Sequence, residues 1–105
     1  MTVETEVLWL DEHRVVSLTE LVEVSGLPEN ELLELVNTGA LPARDAPDGG
    51  LAFSARVVTM ARTASRLRDD FELDTRGLAV ALRLLERVRD LEGEIARLRA
   101  QLPRA

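Results

Sequence analysis

Apolar residues recur every three or four positions through much of this chain, the spacing of helices that bury one face. Ser17 with Glu20 three residues later forms a Ser-x-x-Glu capping box and opens a first helix over residues 18–24. Its inward stripe is Leu18, Leu21, Val22 and Val24, and Gly26 ends it. Leu27-Pro28 starts a second helix over 29–38, since proline is favoured in a first turn. Leu32, Leu33, Leu35 and Val36 are its apolar positions, and Gly39 is its C-cap. Two short helices across a tight glycine-containing joint describe a helix-turn-helix.

Residues 40–53 break the helical spacing with Pro42, Pro47 and the run Asp48-Gly49-Gly50. Leu41 stands before that run, and Leu51 and Phe53 after it, the pattern of a small hairpin or wing. A further short apolar run, residues 7–10, predicts a strand, followed by a polar turn at 11–14. Ser54 caps a third helix over 55–70, with Val57, Val58, Ala61, Ala64 and Leu67 inward. Phe71-Glu72-Leu73 interrupts it, and Phe71 and Leu73 are expected in the core. Asp74 then caps a fourth helix over 75–102, about 40 Å long at 1.5 Å per residue.

A domain of this length is only about 25–30 Å across, so part of the fourth helix should project. Leu84, Val88, Leu91, Ile95, Leu98 and Leu102 are spaced 4, 3, 4, 3 and 4, a coiled-coil seam. Glu86 with Arg89, and Glu94 with Arg97, are expected to pair on exposed faces. A projecting seam needs a partner helix, and a second copy makes a homodimer; the alternative is a fold-back onto the third helix of the same chain. The expectation is an all-α protein: a winged helix-turn-helix over residues 1–74 with a small β wing, and a long dimerising coiled-coil helix over 75–105.

Composition sharpens this in three ways. The 105 residues suit one small domain, and Trp9, Phe53 and Phe71 are the only aromatics, so the core must be aliphatic. Cysteine is absent, which removes disulfides, Cys-ligated zinc and thiol catalysis and suits a reducing cytoplasm. The first ten residues hold two acids, no basic residue and a four-residue apolar run, too little for a signal peptide or membrane span.

Charge is divided sharply. Residues 1–53 carry eleven carboxylates against two arginines, a net −9; residues 54–105 carry eleven arginines against eight carboxylates, a net +3. Every basic residue is arginine. A DNA reader needs a basic face to displace counterions from phosphates. In a helix-turn-helix the second helix enters the major groove and carries Arg, Lys, Asn or Gln. Here that helix offers Glu29, Glu31 and Glu34, with only Asn30 and Asn37 as neutral readers, and the first helix adds Glu20 and Glu23. In the wing, Arg44 stands against Asp45 and Asp48. These glutamates form either a solvated face or an acidic dock for a basic partner.

Catalytic chemistry has no foothold in the sequence. His13 is the sole histidine, in a polar turn, and cannot build a transition-metal site without further His or Cys ligands. Ser17, Ser25, Ser54 and Ser65 fall at caps or on helices rather than in a nucleophile elbow. Asp48-Gly49-Gly50 lacks the ligand spacing of a calcium loop. No catalytic residue, cofactor, metal or small-molecule substrate is expected.

The string SLTELVEVSGLPENELLELVNTGAL resembles the reading head of MerR-type regulators, with Leu18, Leu21, Gly26, Leu27, Leu32 and Gly39 where that fold places them. Leu33-Glu34 stands where an Arg-Tyr pair is usual, and Gly50-Leu51 where the wing usually has an aromatic-Arg pair. The C-terminal half is similar to the CbpM-type chaperone modulators in Arg66-Leu67-Arg68, Leu73-Asp74, the run Gly77-Leu78-Ala79-Val80-Ala81-Leu82 and the closing leucine seam. That resemblance covers about residues 5–102. It implies a protein that binds the J-domain of a DnaJ-like co-chaperone, the curved-DNA-binding protein A, and inhibits both its work with Hsp70 and its DNA binding. A J-domain engages Hsp70 through a basic helix. The contact residues do not follow from the resemblance; charge and expected exposure point to Glu29, Glu31 and Glu34, then Glu20 and Glu23. The competing reading is a MerR-type transcription regulator that touches DNA through Arg44, Arg56 and Arg62.

Overall fold

The computed structural model describes residues 15–103. Their elements run β1 (Val16–Ser17), α1 (Leu18–Ser25), α2 (Glu29–Asn37), β2 (Arg44–Asp45), β3 (Leu51–Phe53), α3 (Ala55–Phe71) and α4 (Thr75–Gln101). The strand expected over 7–10 and the turn at 11–14, His13 included, lie outside the described residues.

Local chemistry sets most of the boundaries. The Ser17 hydroxyl accepts from the Glu20 amide at 3.1 Å while the Glu20 carboxylate accepts from the Ser17 amide at 3.0 Å, so the capping box that opens α1 is complete. Gly26 ends α1 in the left-handed region at φ +82° and donates its amide to the Val22 carbonyl at 3.1 Å. Asp74 caps α4 by accepting from the Gly77 amide at 2.8 Å. Ser54 sits at the N-cap of α3 with extended backbone, but its side chain makes no cap bond; its carbonyl accepts from the Val57 amide instead.

The wing is real and gains a third strand. β3 is the central strand, flanked antiparallel by β1 and β2. Val16 faces Phe53 and Ser17 faces Ala52 on one side, while Arg44 faces Ala52 and Asp45 faces Leu51 on the other. The turn between β2 and β3 closes through Ala46 donating to the Gly50 carbonyl at 2.7 Å and Gly50 donating to the Asp48 carboxylate at 3.0 Å. β1 holds only two residues, too few to show a period of two in the sequence.

Leu21, Leu27, Leu32, Leu35, Leu41, Phe53, Val57, Leu78 and Leu82 are fully buried and join all four helices to the sheet. Each such side chain contributes roughly 1.5–3 kcal/mol by leaving water. Phe53 is the one aromatic of this core among the described residues. Phe71, expected beside it, is instead 67% exposed. Helix α3 ends at Phe71, and Glu72 turns the chain through the left-handed region at φ +52°. That turn returns Leu73 to the core, against which it packs half-buried. Val24, assigned to the inward stripe of α1, is likewise exposed.

Only the first part of α4 belongs to the core, through Leu78, Ala79 and Leu82. Arg56 of α3 reaches both carboxylate oxygens of Glu86 at 2.6 Å, so Glu86 serves a bridge between helices rather than the expected pair with Arg89. Beyond Glu86 every described residue is exposed. The seam does not fold back onto α3: Leu84, Val88, Leu91, Ile95, Leu98 and Leu102 are 43–67% exposed.

Candidate functional site

The face that would read a nucleic acid in a helix-turn-helix is α2. Its N-cap is Pro28, which supplies no side-chain bond to the first-turn amides. Glu29 and Glu31 stand in that first turn, where carboxylates complement the positive end of the helix dipole. Leu32 and Leu35 turn inward and are fully buried, which leaves Glu29, Asn30, Glu34 and Asn37 on the outer face. On α1, Glu23 is exposed near the C-terminal end.

The five glutamates expected to form one dock are not equivalent. Glu29, Glu34 and Glu23 are exposed. Glu31 is about three-quarters covered and bonded to Arg68 of α3 at 2.8 Å. That hydrogen bond holds the Arg68 guanidinium above its ordinary pKa, outweighing the opposite effect of burial. Glu20 is exposed, but its carboxylate closes the capping box of α1. Two of the five therefore hold structure, a distinction invisible to charge counting.

The arginines are placed with equal consequence. Arg62 of α3 donates through Nε to the Val24 carbonyl at 3.1 Å, and Arg83 of α4 donates to the Thr38 carbonyl. These carbonyls lie at the C-terminal ends of α1 and α2, neither of which has a basic residue in its own last turn. Each helix thus receives its C-terminal cation from another element, complementing its dipole. Of the arginines considered for DNA contact, Arg56 holds Glu86 and Arg62 holds a helix end; Arg44 on β2 is exposed beside Asp45.

A shallow groove of about 490 Å³ runs between β1, the start of α1 and the wing. Val16, Leu18, Ala46 and Leu51 give it apolar walls, with Ser17, Glu20 and Asp48 at the rim. It went unpredicted because the β1–β3 pairing that assembles it leaves no signal in a two-residue strand. Among the described residues there is no group of three or more His, Asp or Glu side chains able to hold a metal ion, and no helix is long and apolar enough to cross a membrane. What the head offers chemically is a set of exposed carboxylates beside a small apolar trough.

Residues 16–100 match the family of MerR HTH family regulatory proteins. The chain is also similar to the chaperone modulatory protein CbpM of Escherichia coli O139:H28 (strain E24377A / ETEC), of Escherichia coli (strain K12 / DH10B) and of Shigella boydii serotype 18 (strain CDC 3083-94 / BS512). In each case the identity is 33% over 88 residues, covering 84% of this chain and 87% of the relative.

Proposed function

The chain belongs to the MerR-type helix-turn-helix family and to the CbpM chaperone modulators within it, and from that premise we propose that it binds the J-domain of a DnaJ-like co-chaperone and inhibits that partner's co-chaperone and DNA-binding activities. The reading places the protein in the cytoplasm as a homodimer joined through α4, with no catalysis of its own.

The observation that carries it is the exposed acidic face of α2. Glu29 and Glu34, with Glu23 on α1, present carboxylates where a nucleic-acid reader presents cations, while Arg62 and Arg83 donate to the backbone carbonyls at the ends of α1 and α2. A J-domain's basic helix is complementary to that face. Charge would speed encounter and select the partner, while apolar contacts would supply much of the affinity. The groove beside Leu18 and Leu51 lies on the same head and offers such contacts.

Titration of a labelled J-domain with this protein, followed by residue-level NMR shifts, tests the reading. Shifts confined to the basic helix are expected, and the Glu29→Arg/Glu34→Arg variant should weaken binding at least tenfold at low salt. Unchanged affinity in that variant moves the site to the α3–α4 surface. Salt-resistant, sequence-selective duplex binding in a mobility-shift assay would replace the reading with a DNA-binding regulator.

A further inference from the structure

We propose that the groove beside β1 is the seat of this chain's own residues 7–10, with the Trp9 indole as the anchor. The assignment needs no partner and stands apart from the J-domain reading. A partner that used the groove would first have to displace this segment.

The connectivity of the chain brings the segment to the groove. Fourteen residues precede Val15, the first described residue, and Val15 itself stands in the groove wall, 48% exposed. Leu10 is five positions earlier, so it cannot lie more than about 18 Å from Val15 even with the backbone fully extended. The link between them, Asp11-Glu12-His13-Arg14, is entirely polar and of hairpin-loop length. β1 is an outer strand of the sheet, and among the described residues no strand pairs with its other edge. A segment that returns antiparallel across such a link runs along that edge. Tethered this closely, it meets the groove at an effective concentration on the order of millimolar, so a contact with a dissociation constant of that order is about half filled.

The chemistry of the two surfaces matches. The first fourteen residues hold one apolar run, Val7-Leu8-Trp9-Leu10, whose valine and tryptophan suit an added strand. Val16, Leu18, Ala46 and Leu51 give the groove apolar walls, while Ser17, Glu20 and Asp48 line its rim with oxygen acceptors and no cation. An indole has an apolar body and one N–H donor, and that donor usually finds a partner when the ring is buried. Asp48 is already fixed as an acceptor: its carboxylate holds the Gly50 amide at 3.0 Å and keeps lone pairs for a second donor. At about 490 Å³ the groove is of the size that takes a small ligand, which leaves room for an indole.

The flanking acids Glu6, Asp11 and Glu12 share the sign of the rim, offset in part by Arg14. The contact is therefore apolar rather than electrostatic, and added salt should not release it. A basic polypeptide in the same groove would respond in the opposite sense.

Trp9 is the only tryptophan and the chain has no tyrosine, so its fluorescence reports this segment alone. In the whole chain its emission should lie to the blue of the urea-unfolded chain, and acrylamide should quench it about half as steeply or less. That protection should persist at high salt and on dilution. Nuclear Overhauser contacts from the indole ring to the Leu18 and Leu51 methyls should locate it. Ala46→Phe fills the groove from the wing tip and should return emission and quenching toward the unfolded values while circular dichroism keeps its helical signal; if that variant fails to fold, the contacts in the unaltered chain decide. Emission and quenching equal to those in urea overturn the proposal, as do contacts that place the ring on another element. Protection lost on dilution assigns the groove to the segment of a second copy, and Leu18 and Leu51 methyl shifts that arise only when the J-domain is added assign it to that partner; either result also overturns it.

Discussion

Removing the Glu31–Arg68 bridge should damage the fold before it damages binding. The pair ties the first turn of α2 to the last turns of α3, at 2.8 Å, with side chains 22% and 27% exposed. Two unit charges about 4 Å apart attract by about 4 kcal/mol at an effective dielectric of 20. Partial desolvation of both groups and the ordering of two long side chains offset much of that. Exposed pairs couple by about 0.2–1 kcal/mol, whereas removing one partner of a fully buried pair costs about 3–5 kcal/mol. A bridge three-quarters covered falls between, so a coupling of about 1–2 kcal/mol is expected. Asp69 lies 3.4 Å from Arg68 and recovers part of the loss when Glu31 is changed. The perturbations are Glu31→Gln, Arg68→Met and the double variant, measured by urea unfolding at one fixed protein concentration, since any self-association would make apparent stability concentration-dependent. Each single variant should lose about 1–2 kcal/mol, about 5–10 °C in Tm for a domain of this size, and the double variant less than their sum. A coupling below about 0.3 kcal/mol would show that the bridge holds nothing, and Glu31 would return to the docking face.

Two other changes probe backbone and propensity. Glu72 is the only non-glycine residue at positive φ among the described residues, and a left-handed β-carbon costs about 1–2 kcal/mol. Glu72→Gly should therefore stabilise the chain by about 0.5–1 kcal/mol after the greater unfolded-state entropy of glycine is counted, read as a rise in the urea midpoint. Gly93→Ala should add about 1 kcal/mol, because the Cβ meets nothing and alanine is the best helix former; a fall in Tm would place a partner surface against that side of α4. Leu78→Ala, by contrast, empties a fully buried site and should cost about 2–5 kcal/mol in the same assay.

The helices were readable because caps and period agree: Ser17 with Glu20, Gly26 and Asp74 each sit at the boundary they announce, while Gly39, expected as the C-cap of α2, takes the left-handed turn one residue past the Thr38 cap. Leucine spacing gave the buried stripe through Leu21, Leu32 and Leu35 for the same reason. Phe71 was misplaced because periodicity continues to the end of α3 and cannot register the left-handed turn that follows it. β1 has too few residues to show a pattern, so its contribution to the groove stayed hidden. The acidic character of α2 was plain in composition, but the division of labour among its glutamates was not. Glu31 and Glu29 are two residues apart, and only the tertiary placement of Arg68, thirty-seven residues on, separates a structural carboxylate from an exposed one.

The exclusive use of arginine bears on the same division. An arginine offers a planar fork of donors suited to carboxylates and carbonyls, which the point charge of lysine matches less well. Arg56, Arg62, Arg68 and Arg83 each spend donors on a different element: Glu86 of α4, the end of α1, Glu31 of α2 and the end of α2. Arg62, Arg68 and Arg83 thereby stitch the basic half of the chain to its acidic half, while the Arg56–Glu86 bridge ties α3 to α4 within the basic half. Turning these cations toward a phosphate backbone would leave two helix ends without their cation and Glu31 without Arg68. A polypeptide that brings its own cations asks for no such rearrangement, because Glu23, Glu29 and Glu34 already stand outside the network. Under the proposed function the fold's stability and its choice of partner would draw on the same arginines, and a variant that redirected them to phosphates to gain DNA affinity would lose stability in doing so.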